Sequence, residues 1–225
     1  TIGEAGVAGD DATHFGSPQD IGFLPDGSIL VADGLRNSRI AKFDKTGRFI
    51  SSFGTKGSGP GQLSGVHGIA VDAEGRIFVA DRSNRRVQIF DQDGNFIAAW
   101  KQFGNPSGVA IAPDDTMYVT DQGKKIVTVG NAKDGTVAWN IKLGTDRHAT
   151  TGGVLVAKGK VLSGLTGCSA FSKEKCFISA YDPDTGRQIW KFNTVAVKGQ
   201  PGGDTWNDIP DDFRAGGETW IAGSF

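Results

Sequence analysis

Few residues in this chain could do chemistry, and they stand far apart. His14, His67 and His148 are its three histidines. A catalytic zinc takes three protein ligands and keeps one position open, so these three would have to converge from distant segments. Cys168 and Cys176 bracket a polar loop, Ser169 to Lys175. They either close a hairpin as a disulfide, which implies an oxidising compartment, or remain two core thiols. Asp204, Asp208, Asp211 and Asp212 crowd a late loop, a composition that invites calcium. Their spacing matches neither an EF-hand nor an RTX-type repeat, so they read as a solvated acidic loop. No Gly-x-Ser-x-Gly elbow and no P-loop Gly-Lys-[Ser/Thr] occurs, which argues against hydrolase and NTPase classes.

The elements that must position these residues are short strands. With 225 residues and 34 glycines among β-branched and aromatic runs, the chain is long enough for one large all-β domain or two small ones. Its 24 basic and 25 acidic residues nearly balance, and no basic cluster suited to a phosphate backbone appears, so nucleic acid is excluded as an expected partner. No apolar run approaches the roughly 20 residues that cross a bilayer, so no membrane span is expected. The chain opens on Thr1-Ile2-Gly3-Glu4 without initiator methionine or signal-type segment, which reads as a mature, processed or truncated product.

Internal repetition organises the first half. Ile21-Gly22-Phe23, Ile69-Ala70-Val71 and Val109-Ala110-Ile111 align, and each is followed at the same distance by an aspartate, Asp33, Asp81 or Asp121. Matched turns and strands lie between, and the period is in the range of propeller blades. Alternating apolar residues and Asp/Gly turns predict hairpins. The glycine-rich run from Gly54 to Gly61 reads as an inter-blade loop without an element of its own. In the second half the strongest signal is Ala180-Tyr181-Asp182-Pro183-Asp184-Thr185-Gly186-Arg187-Gln188-Ile189-Trp190, a strand, a tight turn and a new strand opening on tryptophan. Gly135 and Trp139 repeat its glycine-to-tryptophan offset, and blades docked on each other through that aromatic are the expectation. The segment from Lys198 to Gly217 is poor in strand formers and reads as a functional rim or a disordered tail. The predicted fold is an all-β propeller of four-stranded blades, about five blades' worth of chain at roughly 45 residues each, forming a partial or small ring.

Residues 1–124 resemble NHL-repeat propellers. Asp33-Gly34-Leu35-Arg36-Asn37-Ser38-Arg39-Ile40 and Asp81-Arg82-Ser83-Asn84-Arg85-Arg86-Val87 look like their Asp-x-x-Asn-x-Arg core, in which aspartate and asparagine tie the turn after the second strand. Val66-His67-Gly68-Ile69-Ala70-Val71-Asp72 with Asp81-Arg82 is similar to the propeller of peptidyl-α-hydroxyglycine amidating lyases. That resemblance implies a zinc-ligand role for His67 and a substrate role for Arg82. Leu35 stands where those lyases carry their active-site tyrosine, and Gln19 and Ser107 stand at the repeat positions equivalent to His67. Zinc is not expected on this ligand set.

Residues 125–225 resemble the pyrroloquinoline-quinone (PQQ) dependent alcohol dehydrogenases, periplasmic or extracellular quinoproteins. The Ala180–Trp190 run matches their tryptophan-docking motif, and Gly216-Gly217-Glu218-Thr219-Trp220 also looks like that family. The resemblance implies that Trp220 stacks beneath the quinone and that Thr166, Gly167 and Cys168 contact its carboxylates. Ser169 falls where many relatives have a calcium-binding glutamate, and a neutral hydroxyl is a poorer ligand for a hard dication. No residue of this chain falls at the family's catalytic aspartate. Three functions are therefore weighed: a PQQ dehydrogenase-like segment acting on a small alcohol with PQQ and calcium but inactive as given, a non-catalytic propeller binding a protein or glycan partner, or a zinc-dependent amidating-lyase relative centred on His67 and Arg82.

Overall fold

The structure, a computed structural model, describes residues 2–144, 148–150, 152–171 and 174–219. Four antiparallel sheets of four strands follow one another along the chain. The first contains β1 (Pro18–Phe23), β2 (Ile29–Asp33), β3 (Arg39–Phe43) and β4 (Phe49–Phe53). A short parallel ladder follows, β5 (Thr55–Lys56) beside β6 (Gln62–Leu63). The second sheet is β7 (Val66–Val71), β8 (Ile77–Asp81), β9 (Arg86–Phe90) and β10 (Phe96–Trp100). The third is β11 (Pro106–Ile111), β12 (Thr116–Asp121), β13 (Ile126–Asn131) and β14 (Val137–Lys142). The fourth is β15 (Leu155–Ala157), β16 (Lys160–Gly164), β17 (Phe177–Tyr181) and β18 (Gln188–Asn193). The change of repeat type after residue 124 falls between β12 and β13, inside one sheet, so motif style changes without a break in the fold.

Each sheet buries its faces against its neighbours, as alternating strands in a propeller must. Leu30, Ile40, Ile69, Val79 and Phe90 form the core between the first two sheets. Phe78, Val87, Met117 and Val119 join the second to the third, and Val127, Val161, Leu165 and Phe177 join the third to the fourth. The innermost strands approach closely because they carry glycine. A Cβ on Gly108 would lie 2.3 Å from the Cα of Gly153, and one on Gly68 would lie 2.6 Å from the carbonyl oxygen of Ser107. At the rim, aromatic residues of one sheet seat on a turn glycine of the next. Phe53 covers Gly94, Trp100 covers Gly135, and Trp139 covers Gly186. Trp139 also donates its indole N–H to the Pro183 carbonyl at 3.0 Å. The expected docking by tryptophan is therefore present for Trp139. Trp190, on the last strand, has no following sheet among the described residues and is 40% exposed.

The first and fourth sheets share no strand pairing among the described residues, so the sheets form an arc without ring closure. The repeated aspartates do more than tie a turn. Asp81 accepts from Asn84 and from the Arg86 Nε at 2.7 Å, and also from the backbone N–H of Ser64, which leads into β7. Asp33 holds Gly16 and Ser17 in the same way ahead of β1. Each carboxylate thus fastens the incoming loop to the blade it enters. The run from Gly54 to Gly61, read as a loop without an element, contains β5 and is pinned: Arg86 donates to the carbonyls of Ser58, Gly59 and Gln62. The late segment is also ordered. Two 3-10 turns, Gly203–Trp206 and Asp211–Phe213, wrap buried Arg214, which donates to Ile209, Ala196 and Gly203 carbonyls. Among the described residues no helix is long and apolar enough to cross a membrane.

Candidate functional site

Antiparallel pairing brings the start of each innermost strand to the same end as the turn after its partner strand. That geometry collects His67 at the start of β7, Arg82 just after β8, Gln122 just after β12 and Asn105 just before β11. His67 Nδ1 lies 3.1 Å from the Ser107 carbonyl. A carbonyl can only accept, so Nδ1 carries the proton and Nε2 keeps its lone pair. Burial, followed by repulsion from Arg82, pushes the His67 pKa below the ordinary histidine value and favours the neutral ring.

Arg82 is braced on two sides. One terminal nitrogen, Nη2, donates to the Gln122 side chain, and its own carbonyl accepts from Asn105 Nδ2 at 3.3 Å. Its Nε is buried without a hydrogen-bond partner. Among the described residues no carboxylate pairs with it. A fixed guanidinium that lacks an acid and sits beside a neutral imidazole is suited to bind an anion. Gln122 and Asn105 escape sequence reasoning, because neither stands in a motif and their roles follow from strand pairing alone.

The other histidines do not join His67. His14 contacts Asp11 and Glu4 in the N-terminal segment, and His148 is buried beside Gly144. Among the described residues no group of three His, Cys, Asp or Glu side chains could hold a metal ion. The residues present do not fit a catalytic zinc.

The second candidate site lies at the Cys168 loop. Cys168 and Cys176 form a disulfide. Thr166 pairs with Ala149 through the backbone, and its hydroxyl donates to the Ala149 carbonyl at 3.2 Å. The N–H groups of Gly167 and Cys168 both donate to one oxygen of Glu218, at 3.0 and 2.9 Å. Thr219 crowds Gly164 so closely that no Cβ would fit there. The donors expected to hold a quinone carboxylate are thus engaged by the chain's own groups in this structure. Ser169 is exposed, and Trp220 lies outside the described residues. Glu218 also escaped sequence reasoning, although it stands beside Trp220 in the Gly-Gly-Glu-Thr-Trp run.

Comparison with known proteins finds relatives of both propeller types. Peptidyl-glycine alpha-amidating monooxygenase A of Xenopus laevis is 37% identical over 130 residues, 53% of this chain and 14% of that protein. NHL repeat-containing protein 3 of Homo sapiens is 32% identical over 115 residues, 48% of this chain and 33% of that protein. The chain spans at most about a third of these relatives. A solved structure of Kuenenia stuttgartiensis hydrazine synthase superposes with a TM-score of 0.66 at 17% identity, covering 88% of this chain and 54% of that one, a likeness of fold alone. The family model described as outer membrane protein assembly factor BamB (PQQ_2) matches residues 36–194, well over half of the sequence. With its blade architecture and docked tryptophan, the chain belongs to this family of PQQ-type β-propellers.

Proposed function

We propose that the chain is a non-catalytic binding propeller whose axial mouth takes a carboxylate group of a polypeptide partner at Arg82. The observation that carries this reading is the braced Arg82 guanidinium, which has no acid partner among the described residues and has neutral His67 beside it. Relatives named for peptidyl-glycine and a family described as an assembly factor support a polypeptide rather than a glycan or a small alcohol as the partner. The disulfide supports a periplasmic or extracellular location. Charge-assisted hydrogen bonds contribute about 1.5–3 kcal/mol each. Replacing Arg82 with Gln should therefore weaken binding of a glycine-terminated peptide by roughly tenfold or more, read by fluorescence anisotropy. Arg82→Lys should keep part of the affinity, and added salt should lower it. Unchanged affinity in Arg82→Gln would overturn the reading.

A second reading, a segment of a PQQ-dependent alcohol oxidoreductase using calcium, rests on the Ala180–Trp190 run and on Trp139 seated over Gly186. It requires Glu218 to leave the Gly167 and Cys168 donors. On this reading, PQQ with calcium quenches tryptophan fluorescence, and more strongly in Glu218→Gln. The binding-propeller account expects no quenching at high micromolar cofactor in either protein.

A further inference from the structure

We propose that the groove between the third and fourth sheets binds the guanidinium of an arginine side chain on a polypeptide partner. Three turns close around this groove. They are the β11–β12 turn with Asp114, the β13–β14 turn with Asn131, and the β17–β18 turn with Pro183 and Asp184. With Trp139 they line a cavity of about 390 Å³. That volume is at the small end of ligand sites, which run roughly 300–1,000 Å³. Trp139 is a fixed wall, because its ring lies over Gly186 and its indole N–H donates to the Pro183 carbonyl. Asp114 and Asp184 come from different sheets, and neither forms an ion pair among the described residues. Asp115, by contrast, is taken by Lys133 at 2.9 Å. Asp114 accepts from the Thr116 N–H at 3.0 Å, which holds its carboxyl below the ordinary value and therefore charged.

Tyr118 is the residue that points to a ligand. It is only 3% exposed, and among the described residues its hydroxyl has no hydrogen-bond partner. A tyrosine hydroxyl this deep ordinarily finds one. Burial, followed by the charges of Asp114 and Asp184, pushes its pKa up, so the phenol stays neutral within the field of both carboxylates. Two unpaired carboxylates, a phenolic oxygen and an aromatic wall call for a flat cation with several N–H donors. A guanidinium supplies the fork for the carboxylates and a face for the ring. An ammonium is a point charge without that fork. A metal ion is disfavoured, because among the described residues no three His, Cys, Asp or Glu side chains could hold one. The groove is separate from the Arg82 mouth. Asp114 precedes the start of β12, and Gln122, which braces Arg82, follows its end.

The probe is N-acetyl-arginine amide, which has no carboxylate and so does not test the Arg82 mouth. Titrated into the wild-type chain to roughly 10 mM, it should shift the Trp139 indole N–H signal in the NMR spectrum. Loss of that signal in Trp139→Phe assigns it. The citrulline analogue, of the same shape but uncharged, should leave the signal in place. Asp184→Asn and Tyr118→Phe should each weaken binding by roughly fivefold or more. Both variants should fold as the wild type does, since no described residue hydrogen-bonds to either altered group. No shift with the arginine probe, an equal shift with citrulline, or unchanged affinity in either variant would overturn the proposal. The same shift produced by calcium chloride alone would overturn it too.

Discussion

Asp81→Ala should lower stability by about 3–5 kcal/mol, which is the scale for removing one partner of a buried ion pair. The Asp81 side chain is fully buried and accepts from Ser64, Asn84, Arg86 and Gln88. Its loss leaves the buried Arg86 guanidinium without its acid and frees the loop that enters β7. For a chain of this size that corresponds to a melting point lower by roughly 10 °C. Asp81→Asn should cost less, because the amide oxygen keeps some acceptors while the charge is gone. A loss below about 1 kcal/mol in Asp81→Ala, measured by thermal unfolding, would refute the view that this carboxylate clamps blade to loop.

The second large effect concerns backbone approach. Gly108→Ala should cost about 3 kcal/mol or more, because overpacked cores lose 1–3 kcal/mol even where side chains can shift. At Gly108 the obstructing atoms are the Cα and N of Gly153, 2.3 and 2.8 Å from the new Cβ, and neither can rotate aside. Gly22→Ala is the control. Its Cβ would meet only Ile69 and Val71 side chains, at 3.5 Å or more, so a change within about 0.5 kcal/mol is expected. Urea unfolding of the two variants side by side reads the difference. Equal losses would mean that the innermost strands of the third and fourth sheets do not pack as closely as described.

The contrast between these glycines shows what was legible in the sequence. The repeat alignment contains Gly22 and begins one residue after Gly108, but only the neighbouring sheet decides that one faces side chains and the other backbone. The buried aspartates were readable because aspartate followed by asparagine and arginine can satisfy a turn locally. Their grip on the incoming loop was not, since its partners are backbone N–H groups that any residue supplies. The same blindness explains the Gly54–Gly61 run. Glycine and proline predict freedom, yet Arg86 fixes the run through carbonyls that leave no mark on composition.

At the sites, the sequence offered His67 and Arg82 as candidates, and strand pairing supplied their neighbours. It also offered Gly167 and Cys168 as donors, whereas the carboxylate that reaches them comes from a residue far along the chain. Trp190 carries the same signature as Trp139, and no property of its own segment distinguishes a docked indole from an uncovered one. That distinction belongs to the following sheet.

The most direct measurement is a calorimetric titration of the wild-type chain with two versions of one short glycine-terminated peptide, a free acid and its C-terminal amide. The Arg82 mouth should favour the free acid by at least roughly tenfold, the discrimination expected from one charge-assisted contact. Equal affinities for acid and amide would contradict it.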